Sequence, residues 1–286
     1  MKSLFAEVTD RSAGASPPVA APTAQAAPRR RISRVTHWLI PMIAIAAIIG
    51  IWQIVVVSLG LKPYFIPSPS RVVETFVDNG RTIWDAAVPT IEQAMTGFAI
   101  GNLLAVALSV WFVHARSARR AVYPLAIVLQ SIPLVALAPI AIVTIGTGFA
   151  TKVVMTAIIS FFPTLVNMMR GLDSVDLSLV ELFQSVHAKR SAVLWKLRWP
   201  NALPYLFAGL RITASASVIG AVIVEWIGGD QGLGYMVINS TYQFNTPLLW
   251  ASLVASSLLV LAAFGFVSLA ERVIVPWNRS SAAGDA

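Results

Sequence analysis

The chain has 286 residues, of which 57% are hydrophobic and 12% are charged, with a net charge of +8 and no cysteine. Because a soluble domain carries about 25% charged residues, this composition excludes an ordinary soluble protein and predicts a polytopic membrane protein. It also excludes disulfides and thiolate metal sites, and it makes membrane orientation a better explanation of the basic residues than nucleic-acid binding.

The two ends of the chain differ from its apolar middle. Residues 1–36 are rich in Ala, Pro and Ser and end in PRRRISR. Such a segment cannot bury a core, so we predict a disordered cytoplasmic tail. It is not a signal peptide, because the following apolar run is too long and lacks a small-residue cleavage site. We assign residues 37–276 to a transmembrane domain and residues 277–286 to a second cytoplasmic tail.

Six apolar segments are long enough to cross a bilayer, which takes about 20 helical residues. The uncharged run that begins at Ala121 is too long for one span, and the turn-prone stretch TIGTGFATK divides it. The predicted spans cover approximately residues 38–60, 91–113, 122–145, 151–169, 208–228 and 247–269.

Basic residues are distributed unevenly between these spans. With the N-terminus inside the cell, 17 of the 21 Lys and Arg residues fall in inside segments, and only Lys62, Arg71, Arg81 and Lys152 fall outside. Basic residues are enriched on the cytoplasmic side of membrane proteins. We therefore predict an all-α protein of about six transmembrane helices, with both termini in the cytoplasm.

The largest predicted cytoplasmic segment, residues 170–211, has the pattern of a helical hairpin. Ser178 and Glu181 have the spacing of a capping box at the start of its first helix. A second helix is predicted over residues 191–199, where Pro200 would stop it. The apolar residues of the first helix recur at helical spacing, and they are Leu179, Leu182, Phe183 and Val186.

This apolar stripe permits two interpretations. The helix lies in the lipid headgroups, with the basic residues of the segment against anionic lipid, or the hairpin projects into the cytoplasm and contacts a protein. The basic residues concerned are Lys189, Arg190, Lys196 and Arg198. The pattern alone favours neither.

The same segment resembles the EAA signature of the permease subunits of bacterial ABC importers. That signature reads loosely E-A-A-x-x-x-G-A-S and, about eleven residues later, P-x-x-x-P. The residues that match it are Glu181, Ala188, Pro200 and Pro204. The resemblance extends over about residues 60–276 and includes IPSPSRVVETF, PLVALAPIAIVTIGTGFATK and YLFAGLRITASASVIGAVIVEWIGG.

Three kinds of position depart from the signature. Leu182 and Phe183 replace the two alanines, Lys189 replaces the serine, and His187 replaces the glycine. Histidine adopts the left-handed conformation at some cost, but more easily than a β-branched residue does. The bulkier loop suggests a dedicated ATPase partner.

The resemblance implies the fold of a type I importer permease, in which the loop forms a coupling helix that docks in a groove of a cytoplasmic ATPase. The implied contact residues are Glu181, Leu182, Phe183, Val186, His187 and Ala188. The implied partners are two ATPase subunits, an extracytoplasmic solute-binding protein and a second copy of the chain, all in or at the bacterial inner membrane.

The subgroup that the chain most resembles includes importers of nitrate, sulfonates, taurine and thiamine pyrimidine precursors. The segments VEWIGG and SLAERVIVPWNRS are more similar to the pyrimidine-precursor or riboflavin branch. A heteroaromatic nutrient is therefore the expected solute, with alkanesulfonate, taurine or nitrate as the alternative.

The chain lacks the residues for chemistry of its own. A P-loop needs a Gly-Lys dipeptide, and the sequence has none. Its three histidines, at 37, 114 and 187, all fall at predicted cytoplasmic edges. No carboxylates are spaced for metal binding or acid–base catalysis. We expect a non-catalytic subunit without cofactor or metal.

A few polar residues at membrane depth are candidates for the transport path, because such residues are often functional. Glu225 either lines the path or pairs near the outer surface, for example with Lys152 or Arg81. Gln130 and Asn167 are uncharged candidates. Pro133 and its neighbour Pro139 break the third span, and the freed carbonyls need protein or a wet cavity around them.

Two other function classes compete with the importer. An ion-gradient-driven secondary transporter would have inverted repeats and ionisable residues near the bilayer midplane, and neither is evident here. A membrane enzyme would need a catalytic set, which is missing.

Overall fold

The computed structural model of this chain describes residues 34–278, except for the side chains of residues 34–38, 116, 126, 129, 130, 134 and 278. Residues 1–33 and 279–286, which belong to the two predicted tails, lie outside the described part. The helices are α1 (Arg34–Ser58), α2 (Pro69–Asp78), α3 (Gly80–His114), α4 (Arg116–Gln130), α5 (Leu134–Ile145), α6 (Phe149–Asp173), α7 (Leu177–Ser185), α8 (Arg190–Val193), α9 (Trp199–Gly228), α10 (Leu233–Tyr242) and α11 (Thr246–Ile274). A π-helical turn (Leu194–Arg198) joins α8 to α9, and a 3-10 turn (Pro276–Asn278) follows α11.

All regular elements in the described part are helical, which confirms the predicted fold class. Five of the predicted spans correspond to helical segments that are long and apolar enough to cross a membrane. These segments are Leu39–Ser58, Gly80–His114, Phe149–Asp173, Arg190–Gly228 and Thr246–Ile274.

The predicted third span is not a single helix in this structure. It is divided between α4 and α5, and the backbone of residues 131–133 is not helical. Pro133 has extended backbone angles, φ −61° and ψ 125°, and a proline also disfavours helical angles at the residue before it. The 12 residues of α5 are about 18 Å long, which is shorter than the hydrocarbon core of about 30 Å.

The described residues form two units, residues 34–48 and residues 49–278. In the first unit, the described part of α1 exposes large apolar side chains, among them Met42, Ile45 and Ile48. Exposed apolar side chains on a helix of this length are typical of a surface that faces lipid.

In the second unit, α6 packs along both α9 and α3 and forms the centre of this unit. Gly97 and Gly101, four residues apart on α3, allow a close approach to α6. A Cβ at Gly97 would lie 2.9 Å from the carbonyl oxygen of Val153, and a Cβ at Gly101 would collide with the carbonyl oxygen of Ala157. Small residues at this spacing bring membrane helices into backbone contact.

A buried polar cluster joins the same three helices. Asn102 of α3 accepts hydrogen bonds on Oδ1 from the hydroxyls of Thr164 of α6 and Thr213 of α9. Its amide group donates to the carbonyl oxygen of Phe98 at 2.6 Å. Since buried polar groups without partners are costly, these bonds fix the relative position of α3, α6 and α9. Helices α10 and α2 pack at the periphery against α11, which itself packs on α9.

Candidate functional site

Helix α7 receives little protection from the rest of the chain. None of its nine residues is buried. Leu182 is 58% exposed and Val186, which follows the helix, is 69% exposed, whereas Phe183 is half-buried. The predicted apolar stripe is therefore present, and most of it is uncovered in this protomer.

The capping box predicted from Ser178 and Glu181 is wrong. The N-cap is Asp176, whose carboxylate accepts a hydrogen bond from the N–H of Ser178 at 3.0 Å. Aspartate is as good an N-cap as serine, so α7 begins before the position that the capping-box spacing indicates.

The turn after α7 has the conformation expected where the EAA signature has glycine. His187 has φ +55°, in the left-handed region, which confirms that histidine takes up this conformation. Two hydrogen bonds hold the turn, from the N–H of His187 to the carbonyl oxygen of Gln184 at 2.9 Å and from the N–H of Ala188 to that of Phe183 at 3.0 Å. These bonds offset a conformational cost of about 1–2 kcal/mol.

The predicted second helix does not stop at Pro200. The helical segment continues from Arg190 to Gly228, and Pro200 lies in the first turn of α9, directly after the π turn. The N–H of Trp199 donates to the carbonyl oxygen of Leu194, five residues earlier. This wider π turn accommodates the proline ring without ending the helix.

The two ends of the hairpin are bonded to each other at its base. Arg198 donates to the carbonyl oxygen of Leu172 at 3.3 Å, and Asn201 donates to the hydroxyl of Ser174 at 2.8 Å. Leu194 is buried at the same place in a cluster with Leu172 and residues of α6 and α9. The hairpin is thus fixed to α6 and α9 together.

A cavity of about 800 Å³ lies between the C-terminal end of α3 and this hairpin. Its lining includes His114, His187, Arg190 and Arg198 and contains no Asp or Glu. An acidic group of a partner would find favourable charge here.

At the far end of α9, the carboxylate of Glu225 is completely buried and lies between three helices. It accepts hydrogen bonds from the hydroxyl of Thr90 of α3, at 2.9 and 3.0 Å from its two oxygens, and from the N–H of Gly234 at 2.9 Å. The N–H of Leu233 donates to the hydroxyl oxygen of Thr90 at 2.9 Å. We refer to Glu225, Thr90, Leu233 and Gly234 as the Glu225 cluster.

Gly232 explains how the carboxylate of Glu225 comes so close to the start of α10. It has φ +110°, and a Cβ there would collide with the carboxylate. Only glycine adopts this conformation readily. The glycine thus provides both the turn and the space for the carboxylate.

Lys152, one of the two predicted partners of Glu225, forms an ion pair with Asp230. The distance from its Nζ to Oδ1 of Asp230 is 3.2 Å. The Lys152 side chain is 3% exposed and that of Asp230 is 81% exposed. Arg81, the other partner considered, is not among the residues that bond to Glu225.

The three path candidates lie on three different helices, α4, α6 and α9. Asn167 donates to the carbonyl oxygen of Pro163 within α6 and lies against Gly209 of α9. Gln130 is the last residue of α4, next to the non-helical residues 131–133, and its side chain is outside the described part. Glu225 has no exposed surface in this conformation, so its place on the path stays a prediction.

The sequence patterns did not indicate Thr90, Asp176 or helix α10. Thr90 is one of many threonines in apolar segments, and it is 135 residues from Glu225 along the chain, so nothing local indicates the contact. The glycines of GGDQGLG, residues 228–234, are the one signal that could have indicated a tight turn between two helices.

Three comparisons with known proteins agree with this architecture. The family model for binding-protein-dependent transport system inner membrane components matches residues 97–279. The formylaminopyrimidine transport permease protein of Halalkalibacterium halodurans is 33% identical over 240 residues, which are 84% of this chain and 96% of that protein. The riboflavin transport system permease protein of Chloroflexus aurantiacus is 30% identical over 263 residues, 91% of this chain and 98% of that one.

More distant similarities point the same way. A putative aliphatic sulfonates transport permease protein of Bacillus subtilis is 26% identical over 247 residues, 85% of this chain and 89% of that protein. An inward facing structure of the MetNI methionine ABC transporter has a TM-score of 0.52 at 22% identity, covering 68% of this chain and 94% of that one. The structural likeness supports the fold.

Proposed function

This chain belongs to the family of binding-protein-dependent transport system inner membrane components, and we propose that it forms the path by which a small heteroaromatic solute enters the cell. As a family member it is a non-catalytic permease subunit of an ABC importer, so ATP hydrolysis belongs to a partner ATPase and solute capture to a binding protein. This membership leaves no ground for the ion-gradient-driven transporter or the membrane enzyme.

The observation that supports a path through this subunit is the broken helix between α4 and α5. Non-helical backbone at membrane depth is tolerated only where protein covers it or where it lines a water-filled cavity. Ser131 and Ile132 are exposed in the protomer, so this break needs a second copy of the chain, an aqueous path, or both. We propose that it faces the path in a homodimer, close to Gln130.

The proposed solute class follows from the named relatives. The two relatives named for formylaminopyrimidine and riboflavin are 33% and 30% identical to this chain, and the sulfonate relative is 26% identical. The first two solutes are both planar heteroaromatic molecules. We propose a solute of this kind, with aliphatic sulfonates as the alternative.

Uptake by the purified complex tests the solute class. The permease, its ATPase and its binding protein are reconstituted in vesicles with ATP on the ATPase side, and labelled formylaminopyrimidine, riboflavin and an aliphatic sulfonate are compared. We expect ATP-dependent uptake of one of the two heteroaromatic solutes and little uptake of the sulfonate. Preferential uptake of the sulfonate would contradict the proposal.

We propose further that α7 docks on the ATPase. The helix LSLVELFQS carries Glu181 and no Lys or Arg, whereas helices that lie on anionic lipid are rich in basic residues. Its exposed Leu182 and the adjoining Val186 are therefore better matched to a protein groove than to headgroups. The stretch from Glu181 to Ala188 would supply the contact, with both termini of the chain on the same cytoplasmic side of the inner membrane.

Truncation of the apolar stripe tests this docking. Burying a large apolar side chain contributes about 1.5–3 kcal/mol, and about 1.4 kcal/mol changes affinity tenfold. Phe183→Ala and Leu182→Ala should each weaken association with the ATPase about tenfold or more, measured by co-purification in detergent. Lys196→Ala, an exposed residue of the π turn, is the control. Equal recovery of the ATPase with all three variants would show that α7 is not the docking element.

A further inference from the structure

One continuous helical segment connects the hairpin of residues 170–211, which we call the coupling hairpin, to the Glu225 cluster. It comprises the 39 residues from Arg190 to Gly228, through α8, the π turn and α9. The end near Arg198 is bonded to α6, and the end near Glu225 is bonded to α3 and α10. A displacement of the hairpin therefore reaches Glu225 through the backbone of a single helix.

The Glu225 cluster also replaces the missing cap of α10. Gly232 is the N-cap and has no side chain that could accept a hydrogen bond. The first two N–H groups of α10, those of Leu233 and Gly234, bond instead to Thr90 and Glu225. These are among the N–H groups that a helix cannot satisfy by itself, and a carboxylate beside them is favoured by the helix dipole.

A cap of this kind does more than stabilise α10. A serine or asparagine side chain at an N-cap satisfies one N–H of the first turn locally, without placing a carboxylate in a buried site, where it costs free energy. What the remote cap adds is a bond between helices. Through it, the start of α10 is held by α9 and by α3 at once.

We propose that Glu225 is a positioning residue that makes α10 follow α9 during transport, so that movement of the coupling hairpin repositions α10 at the opposite end of the span. This inference rests on the proposed function, because it requires α7 to dock on the ATPase. Thr90 is the second member of the connection, since its hydroxyl bonds to both Glu225 and Leu233. Glu225 thereby acts through α10 and not by contact with the solute.

Substitutions that keep volume but weaken or remove the connection test this role. Glu225→Gln removes the charge and one of the two acceptor oxygens, which weakens the bonds from Thr90 and Gly234, and Thr90→Val removes the hydroxyl. Thr90→Ser restores the hydroxyl. The matched control is Glu92→Gln, the same substitution at an exposed carboxylate of α3, less than one helical turn from Thr90. All are compared in the complex with ATPase and binding protein.

The deciding quantity is solute uptake per ATP hydrolysed in the assembled complex. In Glu225→Gln and Thr90→Val we expect it to fall about fivefold or more, while the ATPase still co-purifies and still hydrolyses ATP. Thr90→Ser and Glu92→Gln should stay near the wild-type ratio. A second readout is a spin label or fluorophore at Gln243, an exposed residue after α10. Its response to a non-hydrolysable ATP analogue should be present in the wild type and lost in Glu225→Gln.

Two results would overturn the proposal. The first is a normal ratio of uptake to hydrolysis, with a normal response at Gln243, in Glu225→Gln complexes. The second is poor assembly of both variants with a normal ratio in the complex that remains, which would assign the cluster to folding alone. In both cases the ATPase would still co-purify with the wild-type permease. Failure of the ATPase to co-purify with the wild type would instead contradict the docking of α7.

Discussion

The ion pair of Lys152 and Asp230 joins a side chain that is 3% exposed to one that is 81% exposed. The ammonium group loses most of its water, and the carboxylate keeps nearly all of its own. The pair therefore serves chiefly to give a buried lysine a partner. It also connects the N-terminal part of α6 to the turn before α10.

The exposure of Asp230 makes this ion pair testable by pH. The hydrogen bond from Lys152 holds the pKa of Asp230 below its ordinary value of 3.8. A carboxylate whose pKa is lowered by folding contributes stability at neutral pH, and this contribution is lost as the pH falls through the lowered pKa. At pH 7 we expect Asp230→Asn to reduce the stability of the purified complex by up to about 1 kcal/mol, because the carboxylate of Asp230 is largely exposed to solvent.

The same comparison at low pH provides the check on this prediction. Below about pH 4 the wild-type carboxylate begins to protonate and comes to resemble asparagine. The difference in thermal unfolding temperature between wild type and Asp230→Asn should shrink there. A difference that is constant with pH would show that the ion pair is not its cause.

For single residues, sequence rules predicted backbone conformation and burial better than they predicted hydrogen-bond partners. The left-handed backbone of His187 follows from its place in a glycine position, and the burial of Glu225 in protein follows from the cost of a charge in lipid. The bonds to Thr90 and Gly234 could not be predicted, because they depend on how α3, α9 and α10 pack. Asp176 and Ser178 are both good N-cap residues, and the capping-box spacing indicated the wrong one.

Among the elements, the π turn between α8 and α9 sets the orientation of the hairpin. One additional residue in a helical turn rotates everything before it by about 100° relative to a regular α-helix. The π turn at Leu194–Arg198, which contacts α6, thus determines the orientation of α8 and where α7 projects. Pro200 favours the wider turn, since its ring would clash with the preceding carbonyl in a regular helix.

Replacing Pro200 should change the orientation of the hairpin and leave the membrane-spanning part of α9 intact. In Pro200→Ala the clash is removed and an N–H is supplied, so we expect the turn to relax toward regular α-helix and to rotate α7 away from its docking position. ATPase co-purification should fall about fivefold or more, by loss of about 1 kcal/mol of fitted contact, with normal membrane insertion. Pro204→Ala, one turn later in regular α9, should have a smaller effect. Equal behaviour of the two variants would contradict a special role for the π turn.

The helices that could be predicted from the sequence are those with long apolar runs. These are α1, α3, α6, α9 and α11, because length and hydropathy suffice to identify a membrane helix. Pro133 was recognised as a break, but the run around it was still counted as one span. Helix α10 was missed, since its ten residues are too short for a span and its fold depends on caps from α3 and α9.

For the whole molecule, the distribution of basic residues predicts the orientation in the membrane. The chain has no cysteine, so single cysteines can be introduced without background. Gln243→Cys and Ser117→Cys are both at exposed positions, whereas a cysteine at Gly232 would collide with Glu225. In cells with an accessible inner membrane, an impermeant maleimide should label position 243, and it should label position 117 only after permeabilisation. Labelling of both positions from outside would contradict the predicted orientation.

The segment from Arg190 to Gly228 is much longer than the membrane is thick. Its 39 residues at about 1.5 Å each give about 58 Å, against a hydrocarbon core of about 30 Å. About half of that length must therefore lie outside the hydrocarbon layer or be taken up by tilt. If a helix of this length moves as a rigid body, a small change in tilt produces a large displacement at its end. A change of about 5° in tilt about one end moves the other end by about 5 Å, given the same rise per residue. A rotation small enough to leave the lipid-facing side chains in place would thus carry the coupling hairpin across a distance of about one helical turn.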